Sequence, residues 1–258
     1  MKIAVYTAIF GGKDYLLDPI NFKKNVNYKV DYFCFTDNLK LISNVYTIIY
    51  INPSINSTVK KSRFIKIKGS KELIEYDYVI WHDGNIQINA DKIEVLIEDL
   101  GNNFLAVFRH PYRDNIFDES KACIKLRKED FFIIIFQLLV YMWKGVSTEG
   151  KLFETGIFVK KNNFKEEFFN LWWDNVKKYS CRDQISLSYV VENTNEKLSL
   201  LDGEGKNNPY STYHPHIYNT IGKKLFCHKI EIKIFGFFVE LFKVFQKGLI
   251  RKFLFFDK

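Results

Sequence analysis

The sequence predicts an α/β protein built on one mostly parallel sheet flanked by helices. Three observations carry this. Short apolar runs recur through the first half and stop at Gly, Pro or Asp-Asn turns. Helix-like stretches separate them. The runs are apolar throughout instead of alternating, the mark of strands covered on both sides.

In order, Lys2–Phe10 is the first strand, ended by Gly11-Gly12. Val30–Thr36 (VDYFCFT) is the second, closed by Asp37-Asn38, and Tyr46–Ile51 (YTIIYI) the third, stopped by Pro53. Ser57–Lys68 reads as a Lys-rich helix, Tyr78–Trp81 (YVIW) as the fourth strand, Ala90–Leu100 as a helix and Phe104–Phe108 as the fifth strand. Ser120–Trp143 suggests two helices, the second (FFIIIFQLLVYMW) a buried one. Phe153–Val159 is a strand, and Asn163–Lys178 and Arg182–Glu192 are helices. Gly203–Asn219, polar and rich in Gly, Pro and Asn, is expected to be a loop or lid. One domain over 1–229 and a tail over 230–258 is the simplest organisation.

Composition excludes several classes. With 47% hydrophobic and 26% charged residues, the chain is neither disordered nor a disulfide scaffold. Cys34, Cys123, Cys181 and Cys227 form no CxxC pair, so they read as reduced cysteines of a cytosolic protein. The N-terminal segment lacks the length and cleavage site of a signal peptide. No uncharged apolar run reaches about 18 residues, so no membrane-spanning helix is expected. The net charge of +8 allows nucleic-acid binding, but the basic residues are dispersed among acids and no nucleic-acid-binding motif occurs.

Ligands of open parallel sheets bind beyond the carboxyl ends of the strands. Those ends carry Thr7-Ala8, Asp37-Asn38, His82-Asp83-Gly84-Asn85 and Arg109-His110. Asp83, directly after an apolar strand with Asn85 two residues on, has the spacing to offer oxygens to a hard divalent cation such as Mg²⁺ or Mn²⁺. Asp-Gly and Asp-Asn also simply make turns. Arg63 and Lys66, three apart, share a helix face. A solvated face explains Lys66 as well as a ligand role does, and better. Glu154-Thr155-Gly156 opens a strand, where a glycine permits close backbone approach to a sugar. Asp183, with Gln184, begins a helix and serves equally as a first-turn acid.

In sequence, KIAVYTAIFGGKDYL, DYFCFTDN, KKSRFIKI, YDYVIWHDGNIQI, FRHPYRDNIFDE, FETGIFVKKN and SCRDQISLSYV resemble the glycosyltransferase-like family of plant turgor-regulation and mucilage proteins, also found in bacterial polysaccharide gene clusters. The resemblance covers roughly residues 1–191. It implies a GT-A type fold, a nucleotide-sugar donor (UDP being the commoner nucleotide for this fold) and Mn²⁺ or Mg²⁺. It implies that Thr7, Ala8, Phe10 and Asp37 meet the base and ribose, and Arg63 and Lys66 the diphosphate. Asp83 would hold the metal, with Asn85 beside it or the sugar. Arg109, His110, Thr155, Gly156 and Gln184 would line the donor, and Glu154 the sugar and acceptor side. Asp183 would be the base of an inverting enzyme, or position the sugar in a retaining one. The metal site would be completed by His214, His216 or His228, and Lys229 would reach a phosphate. His82 stands where the family usually has an apolar residue, which leaves open whether it is a ligand or points away.

The implied reaction is sugar transfer to a glycan or lipid-linked acceptor in bacterial surface polysaccharide synthesis. A sugar nucleotidyltransferase is the enzymatic alternative, but Gly11-Gly12-Lys13 is too short for its phosphate loop. A non-catalytic basic nucleic-acid-binding protein is the other alternative. In the tail, Glu240, Lys243, Lys247 and Arg251 recur on one helical face against Phe238, Leu241, Phe242, Phe245, Leu249 and Phe253. Such a helix either attaches peripherally to the inner face of the cytoplasmic membrane or packs on the domain or a twin subunit.

Overall fold

The structure, a computed structural model, describes residues 1–22, 29–147, 150–216, 230–241 and 244. Among the described residues, ten strands and six α-helices follow one another as β1 (Lys2–Ile9), β2 (Lys29–Thr36), β3 (Thr47–Tyr50), α1 (Thr58–Lys68), β4 (Tyr78–His82), β5 (Ile86–Ile88), α2 (Ile93–Leu100), β6 (Leu105–Arg109), α3 (Ile116–Lys125), α4 (Phe131–Trp143), β7 (Phe153–Lys161), α5 (Glu166–Lys178), α6 (Asp183–Thr194), β8 (Ser199–Leu200), β9 (Asn207–Asn208) and β10 (Ser211–Tyr213). Residues 230–241 form a further helix.

Seven strands make one sheet in the order β3-β2-β1-β4-β7-β6-β8. β1 pairs in parallel with both β2 and β4, while β7 runs antiparallel between β4 and β6. The expected mostly parallel sheet is therefore present, with one reversed strand. The apolar strand pattern divides between two cores. Ala4, Tyr6 and Trp81 face α1, α3, α4, α5 and α6, whereas Ile3, Val5 and Ile80 face α2 and the small sheet. That second sheet, β5-β10-β9, is built partly from the segment expected to be a loop. The difference arises because its strands are only two or three residues long and too short for a periodic signal.

Helix starts follow local chemistry. Ser57, Asn115 and Asp130 cap α1, α3 and α4 by accepting backbone N–H groups with their side chains. α4 is not the fully buried helix its composition suggested. Ile134, Leu138 and Tyr141 are buried, but Phe132, Phe136 and Trp143 are exposed. Helix 230–241 packs on the domain through Phe235, Ile232 and Val239. The tail residues beyond 244 lie outside the described part. No described helix is long and apolar enough to cross a membrane.

Candidate active site

The carboxyl edge of β4 is shaped by two irregularities. Between Val107 and Phe108 the β6–β7 register shifts, leaving Thr155, Gly156 and Ile157 without partners on β6. Bulges of this kind re-aim side chains. The Asp83 N–H continues the β4–β7 ladder by donating to the Gly156 carbonyl at 2.8 Å. A Cβ at Gly156 would lie 3.0 Å from Ile86 Cδ1, so a larger residue there would have to push that side chain aside.

On one side of this edge two carboxylates and two cations interlock. Lys66 Nζ lies 2.7 Å from Asp183 Oδ2 and 3.1 Å from Asp83 Oδ1. Arg63 Nε lies 3.2 Å from Asp183 Oδ1, and Arg63 Nη1 3.4 Å from Asp83 Oδ1. The Thr155 hydroxyl donates to Asp183 Oδ2 at 2.8 Å, and Trp81 Nε1 to Asp83 Oδ1 at 2.9 Å. Arg63 and Lys66 reach the same point because their spacing on α1 stacks them on one face.

Lys66 therefore corrects the expectation of a solvated position, since it is fully buried. Helical spacing says which residues share a face, but not which face meets the sheet. Burial lowers the Lys66 pKa, against its two carboxylate neighbours. Burial alone would raise the Asp183 carboxyl, but Arg63 and Lys66 outweigh it and hold it well below the usual carboxylate range. Asp83 is lowered in the same way, burial being outweighed by Lys66 and Arg63. Its side chain remains 28% exposed, against 2% for Asp183. Among the described residues, Asp83 Oδ2 has no hydrogen-bond partner, so this oxygen is free to face a ligand.

Residues 45–202, more than half of the chain, match the TOD1/MUCI70 glycosyltransferase-like domain family. The chain belongs to this family. A curated relative, the probable hexosyltransferase MUCI70 of Arabidopsis thaliana, is 24% identical over 242 residues, 82% of this chain. The chain spans 42% of that relative's length. The family-matched stretch contains Arg63, Lys66, Asp83, Thr155 and Asp183, so the charged cluster lies wholly inside it.

The other expected site residues are distributed around this cluster. Asp37 accepts the Gly11 N–H at 3.0 Å and ties the ends of β1 and β2 together. Thr7 and Phe10 have buried side chains; the Thr7 hydroxyl has no partner among the described residues, and Phe10 belongs to the core. The Ala8 carbonyl accepts from Ser62 Oγ at 3.3 Å. Asn85 Nδ2 donates to the His214 carbonyl at 2.8 Å, and His214 Nε2 lies 3.1 Å from Gln87 Oε1. Both side chains thus fasten β5 to β10, and neither is gathered with Asp83. His216 Nδ1 is 2.6 Å from Asp14 Oδ1, whose carboxylate lies against Gly84. Among the described residues no group of three or more His, Cys, Asp or Glu is arranged to hold a metal. His82 points away from the site, with Nε2 at 3.0 Å from the Tyr46 hydroxyl. Burial pushes its pKa down to about 4. Gln184 is half-buried in the first turn of α6. His228 and Lys229 lie outside the described residues.

Glu154 stands apart from the interlocked charges. Its carboxylate accepts the Gly205 N–H at 2.7 Å, and a Cβ at Gly205 would fall 2.7 Å from Oε2. Burial raises its pKa. Sequence reasoning missed a second ion cluster beside it. Glu119, buried, pairs with Arg113 and with Arg182 at 3.4 Å and accepts from Cys123 Sγ at 3.1 Å. His110 Nε2 lies 2.8 Å from Arg113 Nη1, while Arg109 extends to Asp114 at 3.5 Å near the surface. The available signal was the spacing of Glu119 from Ile116 and Cys123 on the apolar side of α3, which helical periodicity turns inward. A cavity of about 600 Å³ lies at the opposite end of the sheet, lined by Met1, Asp77 and Asn162, remote from these groups.

Proposed function

We propose that this protein transfers a sugar from a nucleoside-diphosphate donor to a glycan or lipid-linked acceptor in bacterial surface polysaccharide synthesis. The observation that carries the proposal is the convergence of Arg63, Lys66, Asp83 and Asp183 at the carboxyl end of β4, beside the amino-terminal part of the antiparallel β7, in a chain of a glycosyltransferase-like family. Arg63, partly exposed at this edge, suits a diphosphate leaving group, with the buried Lys66 fixing the carboxylates behind it, because preorganised charge stabilises what develops in the transition state. Thr7, Ala8, Phe10 and Asp37 form the proposed base and ribose side, with UDP the favoured nucleotide. Arg109, His110, Gly156 and Gln184 belong to its sugar side.

The proposal includes Mn²⁺ or Mg²⁺. These ions are commonly held by one or two carboxylates together with substrate phosphates, and Asp83 Oδ2 is the oxygen free for that contact. When bound, the ion would neutralise charge on the departing diphosphate. Asn85, His214 and His216 enter only if the donor draws them from their present partners.

Asp183 is assigned to positioning. All the acceptor capacity it shows is spent on Arg63, Lys66 and Thr155, and a carboxylate held far below its ordinary pKa is a weak base. Glu154, whose pKa burial shifts toward neutrality, is the better group to take the acceptor hydroxyl proton. Attachment at the inner membrane face through the tail would bring a lipid-linked acceptor to this edge. A nucleotide-sugar hydrolysis screen with and without Mn²⁺ tests the reading. Slow metal-dependent release of a nucleoside diphosphate from one donor is expected, and silence across all donors overturns it.

A further inference from the structure

Two helices leave apolar ridges uncovered among the described residues. On α4, Phe132, Phe136, Leu139 and Trp143 are exposed at alternating spacings of four and three, with Phe132 at 76% and Trp143 at 87%. The C-terminal helix does the same with Ile230, Ile234, Phe237, Leu241 and Val244, although its opposite side is already packed through Phe235. A helix that buries one stripe and shows a second of equal length has apolar surface left for something other than its own domain. The two helices approach each other at one end. Phe131 and Phe132 of α4 and Glu231 of the C-terminal helix line one cavity of about 140 Å³, together with Ile124 and Arg127 at the end of α3.

The charges around the ridges select the occupant. Asp130 is spent capping Phe132 and Ile133, and Glu129 accepts the Cys181 N–H at 2.7 Å. Lys125, Lys128, Lys144 and Lys233 are exposed on these helices or at their ends, against Glu231 at the shared cavity and the exposed Glu240. The sequence then continues with Lys243, Lys247, Arg251, Lys252 and Lys258 against Asp257 alone. Aromatic side chains rimmed by cations suit the headgroup boundary of an anionic bilayer, where Phe and Trp enter and Lys and Arg meet phosphate. A second copy of the chain would bring the same positive rim and repel it.

The geometry points to α4 as a membrane-docking element that enters an anionic lipid surface together with the C-terminal helix. This rests on the proposed membrane reading of the tail and extends it to a helix in the middle of the catalytic domain, far from the tail in sequence.

Trp143 supplies the readout, because Trp81, Trp172 and Trp173 are buried. Full-length protein is mixed with phosphatidylcholine vesicles, with or without phosphatidylglycerol, carrying brominated acyl chains. The expected result is quenching of Trp143 fluorescence on phosphatidylglycerol vesicles only, lost in Trp143→Phe although that variant still sediments with them. Phe132→Ser/Phe136→Ser should reduce co-sedimentation at least tenfold while donor hydrolysis in solution persists. If wild-type protein sediments but Trp143 is not quenched and the Phe variants bind equally, the tail alone holds the membrane and the α4 assignment is overturned. If nothing sediments, both membrane readings fail while the transfer reaction stands on its own assay. Shielding of Trp143 from iodide without lipid, with a mass above the monomer or with the monomer mass, would show the ridge covered by a second copy or by the chain itself, and would also overturn the proposal.

Discussion

Lys66 Nζ and Asp183 Oδ2 lie 2.7 Å apart, with neither side chain reaching solvent. They come from α1 and from the first residue of α6, so the contact joins two helices distant in sequence at the edge where β4 ends and β7 begins. Removing one partner of a buried pair leaves an uncompensated charge, which costs about 3–5 kcal/mol. Lys66→Met is expected to destabilise by that order. Lys66→Met/Asp183→Asn is expected to lose much less than the sum of the single changes. Urea midpoints of the four proteins give the coupling directly, and strict additivity would rule out an interlocked cluster.

Asp83 sits at the solvent side of the same cluster and is expected to separate activity from stability. Asp83→Asn keeps the acceptor for Trp81 Nε1 but removes the charge. Donor hydrolysis should fall by about 100-fold or more, as it should in wild-type protein treated with a chelator, since outer-shell changes at metal sites already cost about 10–100-fold. The melting temperature should move by only a few degrees. Unchanged turnover in the variant would exclude Asp83 from the donor site.

Glu154→Gln tests the assignment of the proton acceptor. Transfer to an acceptor should drop by about 10²–10⁴ while donor affinity is retained. The acid limb of the wild-type pH profile should lie above the ordinary Glu range and vanish in the variant, because burial raises this carboxyl. Should Asp183→Asn instead remove that limb and Glu154→Gln leave it in place, the two roles are exchanged.

His82 gives a stability prediction independent of catalysis. Its imidazole is held neutral in the fold, with a pKa near 4 against an ordinary 6.5. Between those values the unfolded chain binds the proton and the folded chain does not, so stability falls as pH falls through that window. The loss should reach roughly 3 kcal/mol at most. His82→Gln should flatten the dependence. Unfolding free energies at several pH values between 4 and 7 check this, and an equal slope in both proteins would place the effect elsewhere.

The sequence by itself determined the order of the longer strands and the helices, though not the short strands β5, β8, β9 and β10, because β-rich apolar runs, caps such as Asn115 and Asp130, and turn residues act within a few positions of one another. It also brought forward Asp83, Asp183 and Glu154, since charged residues at strand and helix ends stand out from apolar surroundings, and Arg63 through its spacing with Lys66 on one helix face. Only the tertiary structure decided their relations. That β7 enters antiparallel between β4 and β6, and that its register shift turns Thr155 and Gly156 toward Asp83, depends on pairing between segments far apart in the chain. Lys66 looked like one more lysine of a polar helix; its burial follows from which face of α1 met the sheet and from two carboxylates waiting there. The same cause hid Glu119 between Arg113 and Arg182, and the second apolar stripe of helix 230–241. Local pattern fixes which residues share a face, and long-range packing fixes what that face touches.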